Sequence, residues 1–205
     1  VVFFLLNRFK FITGGRIFLI ASSLLFYGWT HPAYVPLLLG SICFNYLIAR
    51  SITSPISGVF WASKNVLLVL GVSGNILLLS YFKYADFFIT SLNLAAGTQV
   101  QLLRLVLPAG ISFFTLNQIG YLVDSWRGTI KEHRLLSYVQ FVSFFPYVLA
   151  GPVVRYGEVA PQLSCLNNNL FDYKNISEGV YLFFIGLFKK VVLADTLAVW
   201  ANNGF

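Results

Sequence analysis

The chain has 205 residues, of which 58% are hydrophobic and only 10% are charged. Soluble domains carry about a quarter charged residues, so too few polar side chains are present here to cover a water-facing surface around a core of this size. The composition predicts an integral membrane protein rather than a soluble domain. The net charge of +7 does not indicate nucleic-acid binding, because the basic residues lie in short clusters between apolar runs.

The apolar runs predict a set of membrane-crossing helices, since one crossing needs about 20 mostly apolar residues. An apolar stretch opens the chain at 1–6, and the predicted spans that follow cover 17–30, 33–49, 65–82, 105–123 and 179–200. The stretches 51–64, 93–104, 124–134 and 155–178 are polar and predict loops. The expected fold class is an all-α integral membrane protein, a multi-spanning helical bundle forming one transmembrane domain over 1–205.

One apolar segment, 138–154, is interrupted by Pro146 and by Gly151-Pro152. Broken backbone at membrane depth is tolerated only where protein or a water-filled cavity satisfies its freed polar groups. The segment is therefore predicted to be re-entrant rather than a plain crossing. Pro108 and Gly110 introduce a similar interruption near the start of the span 105–123.

Basic residues predict the orientation of the helices, because short cytoplasmic loops are enriched in Lys and Arg. Three clusters fall on one side if each clear run crosses once; they are Arg8, Lys10 and Arg16, then Arg50 and Lys64, then Arg127, Lys131 and Arg134. That side is predicted to be cytoplasmic. The opposite loops hold His31 and the pair Lys83 and Asp86, whose spacing of three predicts an ion pair on one helix face.

Few residues indicate catalytic chemistry. His31 lies at a helix end and His133 in a solvated basic loop, so neither is expected to be desolvated and tuned. Cys43 and Cys165 have no metal-ligand or disulfide spacing and are expected to be packing residues. No metal cluster, catalytic triad or glycine-rich phosphate loop is present in the sequence. We expect no bound metal or cofactor.

Polar residues at membrane depth are more informative, because they are expensive there and usually face a bundle interior or a cavity. Asn117 and Gln118 are adjacent within a span and predict either a cavity wall or interhelical hydrogen bonds. Lys189, Lys190 and Asp195 interrupt the last span. These residues indicate either a ligand site or an anchor at the membrane interface, since long lysine side chains can reach the headgroups.

Arg155 is the strongest single candidate for a functional charge. It directly follows the broken stretch Gly151-Pro152-Val153-Val154, and Glu158 lies three residues further on. An arginine held at a cavity mouth can bind a carboxylate or phosphate through two hydrogen bonds. The alternative is that Arg155 is only a cytoplasmic topology charge.

From residue 107 onward the chain carries specific motifs in a fixed order. They are Leu107-Pro108-Ala109-Gly110-Ile111-Ser112-Phe113-Phe114-Thr115, Tyr121-Leu122-Val123-Asp124, Phe144-Phe145-Pro146, Ala150 to Tyr156 (AGPVVRY), Pro161-Gln162-Leu163, and Gly186 to Asp195 (GLFKKVVLAD). This order resembles the membrane-bound O-acyltransferase family, in particular its bacterial alginate O-acetylation and teichoic acid D-alanyl transfer branch. The motifs cover about the last 100 residues.

The resemblance implies transfer of an acyl group, expected to be acetyl, from a cytoplasmic donor to hydroxyls of an extracytoplasmic polysaccharide. The donor is expected to be acetyl-CoA or an acyl carrier protein, and helices of this family surround a funnel or tunnel. The catalytic histidine of the family belongs to a later motif, expected beyond Phe205, so no catalytic residue is assigned to this chain. The candidates for the tunnel or donor side are Arg155, Glu158, Gly151, Pro152, Asn117 and Gln118.

The absence of methionine and the apolar stretch at its first residues predict that the chain is a piece of a longer protein. Because the resemblance implies a catalytic histidine beyond Phe205, this piece alone is expected to be inactive. The resemblance further implies a multi-pass protein of the bacterial cytoplasmic membrane, in contact with the lipid bilayer and with extracytoplasmic acetylation partners. A transporter or channel subunit also fits interrupted helices and buried polar groups, although no broken segment is repeated in the sequence. A non-catalytic membrane scaffold is the third alternative.

Overall fold

The computed structural model describes residues 2–9, 11–29, 32–53, 63–130, 133–148, 151, 153–164 and 172–204. All secondary structure in these ranges is helical, which confirms the all-α prediction. The chain divides into two compact units, residues 1–169 and 170–205. Each unit is described by itself.

The first unit contains eight α-helices among its described residues. They are α1 (Val2–Arg8), α2 (Ile12–Gly28), α3 (Val35–Thr53), α4 (Lys64–Ala96), α5 (Ile111–Trp126), α6 (Leu135–Ser143), α7 (Phe145–Val148) and α8 (Tyr156–Ser164), with a 3₁₀ turn at Pro32–Tyr34 before α3. Two helical segments in the described part, Pro32–Thr53 and Lys64–Ala96, are long and apolar enough to cross a bilayer; α2 is a shorter apolar helix.

Helix α4 is much longer than the predicted span 65–82. The Ser63 hydroxyl accepts the Val66 N–H at its start, and Gly97 ends it with a left-handed φ of 63°. At 33 residues the helix is roughly 50 Å long, more than one bilayer core needs. The prediction of a loop from residue 93 is therefore wrong for 93–96, because the polar side chains there did not break the helix.

The segment that follows α4 is tied back to that helix by side chains. Asp86 Oδ1 accepts the Leu103 N–H (2.8 Å), and Asp86 Oδ2 accepts the Arg104 N–H (3.0 Å). Arg104 has a positive φ of 48°, which is uncommon for a residue other than glycine. The predicted ion pair between Lys83 and Asp86 is wrong, because the carboxylate serves these backbone donors instead and Lys83 lies over the Tyr84 ring.

Helix α5 begins six residues later than its predicted span. Proline has no N–H to donate, and Gly110 adopts a left-handed φ of 68°, so the helix starts at Ile111. The Ile111 N–H is accepted by the Pro108 carbonyl, which closes this turn. The interruption predicted from Pro108 and Gly110 is thus a helix start rather than a kink inside a span.

Helices α3, α4 and α5 pack on one another and form the centre of the first unit. Gly71 of α4 permits this close approach, since a Cβ there would lie 2.6 Å from Leu122 Cδ1 and 3.2 Å from Ile48 Cγ2. The core is completed by side chains of α2 and α6, and its buried members include Tyr27, Leu38, Ile42, Phe114, Tyr121, Leu122, Tyr138 and Phe141.

The segment from α6 to α8 folds back on itself. Helix α6 runs parallel to α2, because Ser137 accepts a hydrogen bond from Arg16 and the Phe145 N–H donates to Ser23 Oγ, seven residues further along α2. The chain then returns, and Arg16 donates also to the Leu163 carbonyl of α8. The prediction of a loop over 155–178 is wrong for 156–164 and from Tyr173 onward, where α8 and α9 form.

The second unit consists of α9 (Tyr173–Phe188), a π-helical turn (Lys189–Ala194) and α10 (Asp195–Gly204). The Asp172 carboxylate accepts the Lys174 N–H at the start of α9. The Lys190 ammonium and the Asp195 carboxylate form an ion pair of 2.7 Å across the π turn. Two of the three polar residues that interrupt the predicted span 179–200, Lys190 and Asp195, therefore pair with each other locally, and the helix widens where all three occur.

Candidate functional site

A network of buried amides joins the three central helices. Gln118 Oε1 of α5 accepts hydrogen bonds from Asn45 Nδ2 (2.6 Å) and Ser41 Oγ (3.2 Å), both of α3. Asn75 of α4 exchanges hydrogen bonds with Asn45, and Tyr138 of α6 donates to Gln118 at 3.4 Å. All five side chains are buried. The interhelical hydrogen bonding considered for Gln118 is thus present, and its role in a tunnel stays a prediction.

Sequence reasoning did not single out Asn45 or Asn75. The signal was available, because both are amides inside predicted spans, as Asn117 and Gln118 are. Two buried polar atoms of α5, Thr115 Oγ1 and Gln118 Nε2, have no hydrogen-bond partner among the described residues. This face of α5 therefore retains capacity for a further hydrogen bond.

The returning chain is fixed to α5 by Asn117. Its buried carboxamide oxygen accepts the Val154 N–H at 3.2 Å, so a side chain satisfies a backbone donor that the broken segment leaves free. Tyr156 then packs edge-on against Tyr121 (ring centroids 5.0 Å apart), and Tyr121 stacks on Tyr138 at 4.1 Å. Asn117 and these tyrosines together fix the position of residues 154–156.

The remaining predicted site residues lie around the end of this segment. Arg155 and Glu158 are exposed, with Arg155 just before α8 and Glu158 in its first turn. Gly151 is half-buried, and Pro152 lies outside the described residues. The structure thus places Arg155 and Glu158 on one surface next to the Val154 contact with Asn117. Their functional role stays a prediction.

A cavity of about 260 Å³ opens beside this surface, between the α5–α6 loop and the start of α8. Its lining residues are Thr129, Ile130, Arg134, Tyr156, Gly157, Ala160 and Pro161. Two larger cavities, between α2 and α3 and between α3 and α4, are lined by no ionisable side chain. Of these three cavities, the 260 Å³ cavity is the one lined both by a cation, Arg134, and by residues with hydroxyl groups, Thr129 and Tyr156.

His133 is partly buried, whereas the sequence predicted a solvated residue. Its Nε2 lies 2.6 Å from Thr53 Oγ1, and its Nδ1 lies 2.6 Å from the Tyr121 hydroxyl. Burial lowers the pKa of His133 from its usual 6.5, and the nearby Arg50 guanidinium lowers that pKa further. The prediction of a solvated histidine is wrong, because the loop folds onto the ends of α3 and α5. His31 lies outside the described residues.

The fold and the site define an all-α membrane protein whose helices are joined by buried amides and whose broken segment is held by a side-chain carboxamide. No family model matches the chain, and no solved structure matches it either. Curated relatives do match. The chain is 40% identical over 93% of its length to a peptidoglycan O-acetyltransferase of Helicobacter pylori, and 36% identical over 95% of its length to a probable alginate O-acetylase of Pseudomonas aeruginosa.

A more distant relative, a teichoic acid D-alanyltransferase of Lacticaseibacillus rhamnosus, is 24% identical over 41% of this chain. The chain is therefore related along nearly its whole length to membrane-bound O-acyltransferases, and the predicted resemblance is confirmed. It spans 40% of the length of the peptidoglycan enzyme and 38% of the length of the alginate enzyme.

Proposed function

We propose that the protein containing this chain is a multi-pass O-acetyltransferase of the bacterial cytoplasmic membrane. It moves an acetyl group from a cytoplasmic donor, acetyl-CoA or an acyl carrier protein, to hydroxyls of an extracytoplasmic polysaccharide. The observation that carries the proposal is the 40% identity to a peptidoglycan O-acetyltransferase over 93% of the chain. An extracytoplasmic partner protein that receives the acetyl group is part of the same proposal.

The pairing of helix ends supports one orientation for the first unit. Thr53 at the end of α3 contacts His133, and Asn65 at the start of α4 accepts the Trp126 Nε1–H at the end of α5. At the other end, the Tyr34 hydroxyl donates to the Val106 carbonyl. Successive helices therefore alternate in direction. Described members of the basic clusters predicted to be cytoplasmic lie at the end that holds Thr53 and Trp126, among them Arg50, Lys64, Arg127 and Arg134.

In this orientation the segment from α6 to α8 enters from the cytoplasm and returns to it. Both Ser137 and Leu163 contact Arg16, which lies near the cytoplasmic start of α2. The cavity beside α8 and the exposed Arg155 then lie on the donor side. Arg155 would attract the anionic part of the donor, and Glu158 and Gly151 would shape the same surface. Asn117 and Gln118 would form part of the tunnel wall.

The chemistry of transfer balances without a bound cofactor. A histidine expected in the remainder of the protein would accept the proton of the acceptor hydroxyl, a role that its near-neutral pKa suits. The hydroxyl oxygen would then attack the acetyl carbonyl, an ester would form, and the thiol of the donor would leave with a proton. The described residues would contribute the wall of the tunnel and the donor-side surface.

The test is complementation with the complete gene. A deletion strain expressing the full-length protein should regain O-acetyl esters on its surface polysaccharide, as measured by release of acetate under mild alkali. The variant with alanine at the downstream histidine should not. Equal acetylation by both proteins would refute the histidine mechanism. No acetylation by either, in a strain that holds the partner proteins, would refute the proposed activity.

Arg155 can be tested in the same strain. Arg155→Ala should lower acetylation several-fold, because the proposed contact with the anionic part of the donor is lost. The amount of membrane-inserted protein should stay unchanged, because Arg155 is exposed and is only one of several basic residues on this side. Arg8→Ala is the matched control, since Arg8 is also an exposed basic residue on the same side but belongs to α1. Equal acetylation by wild type and Arg155→Ala would remove Arg155 from the site.

A further inference from the structure

We propose that His133 is a positioning residue: it fastens the α5–α6 loop to α3 and α5 and so keeps one wall of the cytoplasmic cavity in place for the acyl donor. The role in donor binding rests on the proposed function. The fastening itself rests on the contacts of the loop alone.

Three elements meet at His133. Its two ring nitrogens contact Thr53 at the end of α3 and Tyr121 of α5, and its backbone carbonyl accepts the Tyr46 hydroxyl at 3.1 Å. The Tyr121 ring also packs edge-on against the imidazole, with centroids 5.7 Å apart. One residue of the loop is therefore held by two helices through both its side chain and its backbone.

The donors and acceptors around the imidazole determine its tautomer. The Thr53 hydroxyl carries one proton, which it donates to the Ala49 carbonyl at 2.9 Å. It must therefore accept at its oxygen, so His133 Nε2 carries a proton and donates it to Thr53. In the neutral ring Nδ1 is then an acceptor, and the Tyr121 hydroxyl donates to it. All these donors are satisfied only when His133 is neutral.

Protonation of His133 would break this arrangement. An imidazolium donates from both nitrogens, so the proton of the hydroxyl of Tyr121, a buried residue, would lose its acceptor. The titratable groups around His133 among the described residues are Tyr121 of α5 at the ring, Tyr46 of α3 at the backbone carbonyl, and Arg50 of α3, whose guanidinium opposes a second positive charge. The lowered pKa of His133 agrees with this geometry.

The loop that His133 fastens also supplies the cavity wall. Thr129, Ile130 and Arg134 all lie within four residues of His133 and line the cavity, whereas His133 does not. Ile130 is buried in the core of the first unit. His133 therefore acts on the cavity through the peptide bond that joins it to Arg134, while the buried Ile130 anchors another part of the same loop.

The first measurement is limited trypsin digestion of the full-length protein in sealed inside-out membrane vesicles, which expose the cytoplasmic face. His133→Ala should be cleaved about tenfold faster at Arg127 or Arg134, a ratio typical of losing one or two net hydrogen bonds. His133→Gln, which retains an amide donor for Thr53, should restore much of the protection. Thr53→Val leaves His133 in place and removes the hydroxyl that accepts its Nε2 proton, together with the hydrogen bond of that hydroxyl to the Ala49 carbonyl. It is a second test of the fastening that does not depend on how well His133→Ala folds.

The second measurement is transfer kinetics in the same vesicles with acetyl-CoA as the probe. His133→Ala should raise the KM for acetyl-CoA about tenfold and change kcat less than about twofold. In the wild type the KM for acetyl-CoA should rise as the pH falls below about 6.5, the usual pKa of histidine, because a charged His133 would release the loop. In His133→Gln, which has no group that titrates there, the KM should not change with pH over this range. A merely structural defect would lower kcat and the amount of folded protein instead.

The outcomes separate the two proposals. Wild-type cleavage rates in both His133→Ala and Thr53→Val would overturn the fastening role, whatever the enzymatic result. Faster cleavage with an unchanged KM would overturn the role in donor binding. If wild-type vesicles transfer nothing from acetyl-CoA, that donor is refuted, and the digestion still decides whether His133 holds the loop.

Discussion

The hydrogen bond between Asn45 and Gln118 can be measured by a double-mutant cycle. The two amides are 2.6 Å apart and both are buried, and they connect α3 to α5. Asn45→Ala also breaks the hydrogen bonds with Asn75, so the buried amide of Asn75 loses its partner on α3. The substitution should lower the free energy of unfolding by about 1–3 kcal/mol. Gln118→Ala removes the acceptor of Asn45, Ser41 and Tyr138 and should cost about as much.

Part of each cost disappears in the double variant, because neither partner is then left unsatisfied. Interhelical hydrogen bonds within membranes contribute about 0.6 kcal/mol on average and up to about 1.7 kcal/mol. The short distance here favours the upper part of that range, so we expect a coupling energy of about 1–1.5 kcal/mol. The single variants should be destabilised by more than this coupling, since each also loses packing.

The assay is reversible unfolding of the chain in mixed micelles, followed by circular dichroism as the fraction of a denaturing detergent rises. Leu116→Ala is the matched control, because Leu116 lies on α5 but its side chain is 46% exposed; its cycle with Asn45→Ala should show no coupling. Additive effects of Asn45→Ala and Gln118→Ala, within about 0.3 kcal/mol, would refute the claim that this amide pair ties α3 to α5.

Two further substitutions test the helix packing and the segment after α4. Gly71→Ala should lower the free energy of unfolding by about 1–3 kcal/mol, because the new methyl group would overlap Leu122, and unchanged unfolding curves would contradict that overlap. Gly120→Ala is its control, since its Cβ would meet nothing within 4 Å. Asp86→Ala should speed cleavage after the exposed Arg104 by trypsin added to the outer face of spheroplasts, because the Leu103 and Arg104 N–H groups lose the acceptor that holds this backbone. Lys83→Ala should not, and equal cleavage rates in both would argue against the Asp86 contact.

The sequence predicted the helices better than their ends. Apolar runs located α3 and the start of α4, because roughly 20 apolar residues leave few alternatives in a membrane. The end of α4 was placed too early, since polar side chains such as Asn93 do not stop a helix; Gly97 does. The start of α5 was placed too early for the opposite reason, because apolar residues before Pro108 continue the hydrophobic run without being helical.

The sequence also predicted that 138–154 is broken, because Pro146 and Gly151 interrupt an apolar run. It could not show what satisfies the freed backbone. The donor at Val154 meets the carboxamide of Asn117, a residue 37 positions away. Contacts across that separation follow from how helices pack, which local pattern does not encode.

By itself, the sequence determined the membrane environment, the helical class and the relationship to O-acyltransferases, since composition, run length and ordered motifs are properties of the chain alone. Only the tertiary structure decided the environment of polar side chains. A histidine between charged residues looks solvated in a sequence, yet His133 is partly buried because the loop folds onto Thr53 and Tyr121. The physical reason is that hydration depends on which distant groups displace water around a side chain, and those groups come together only when the helices pack.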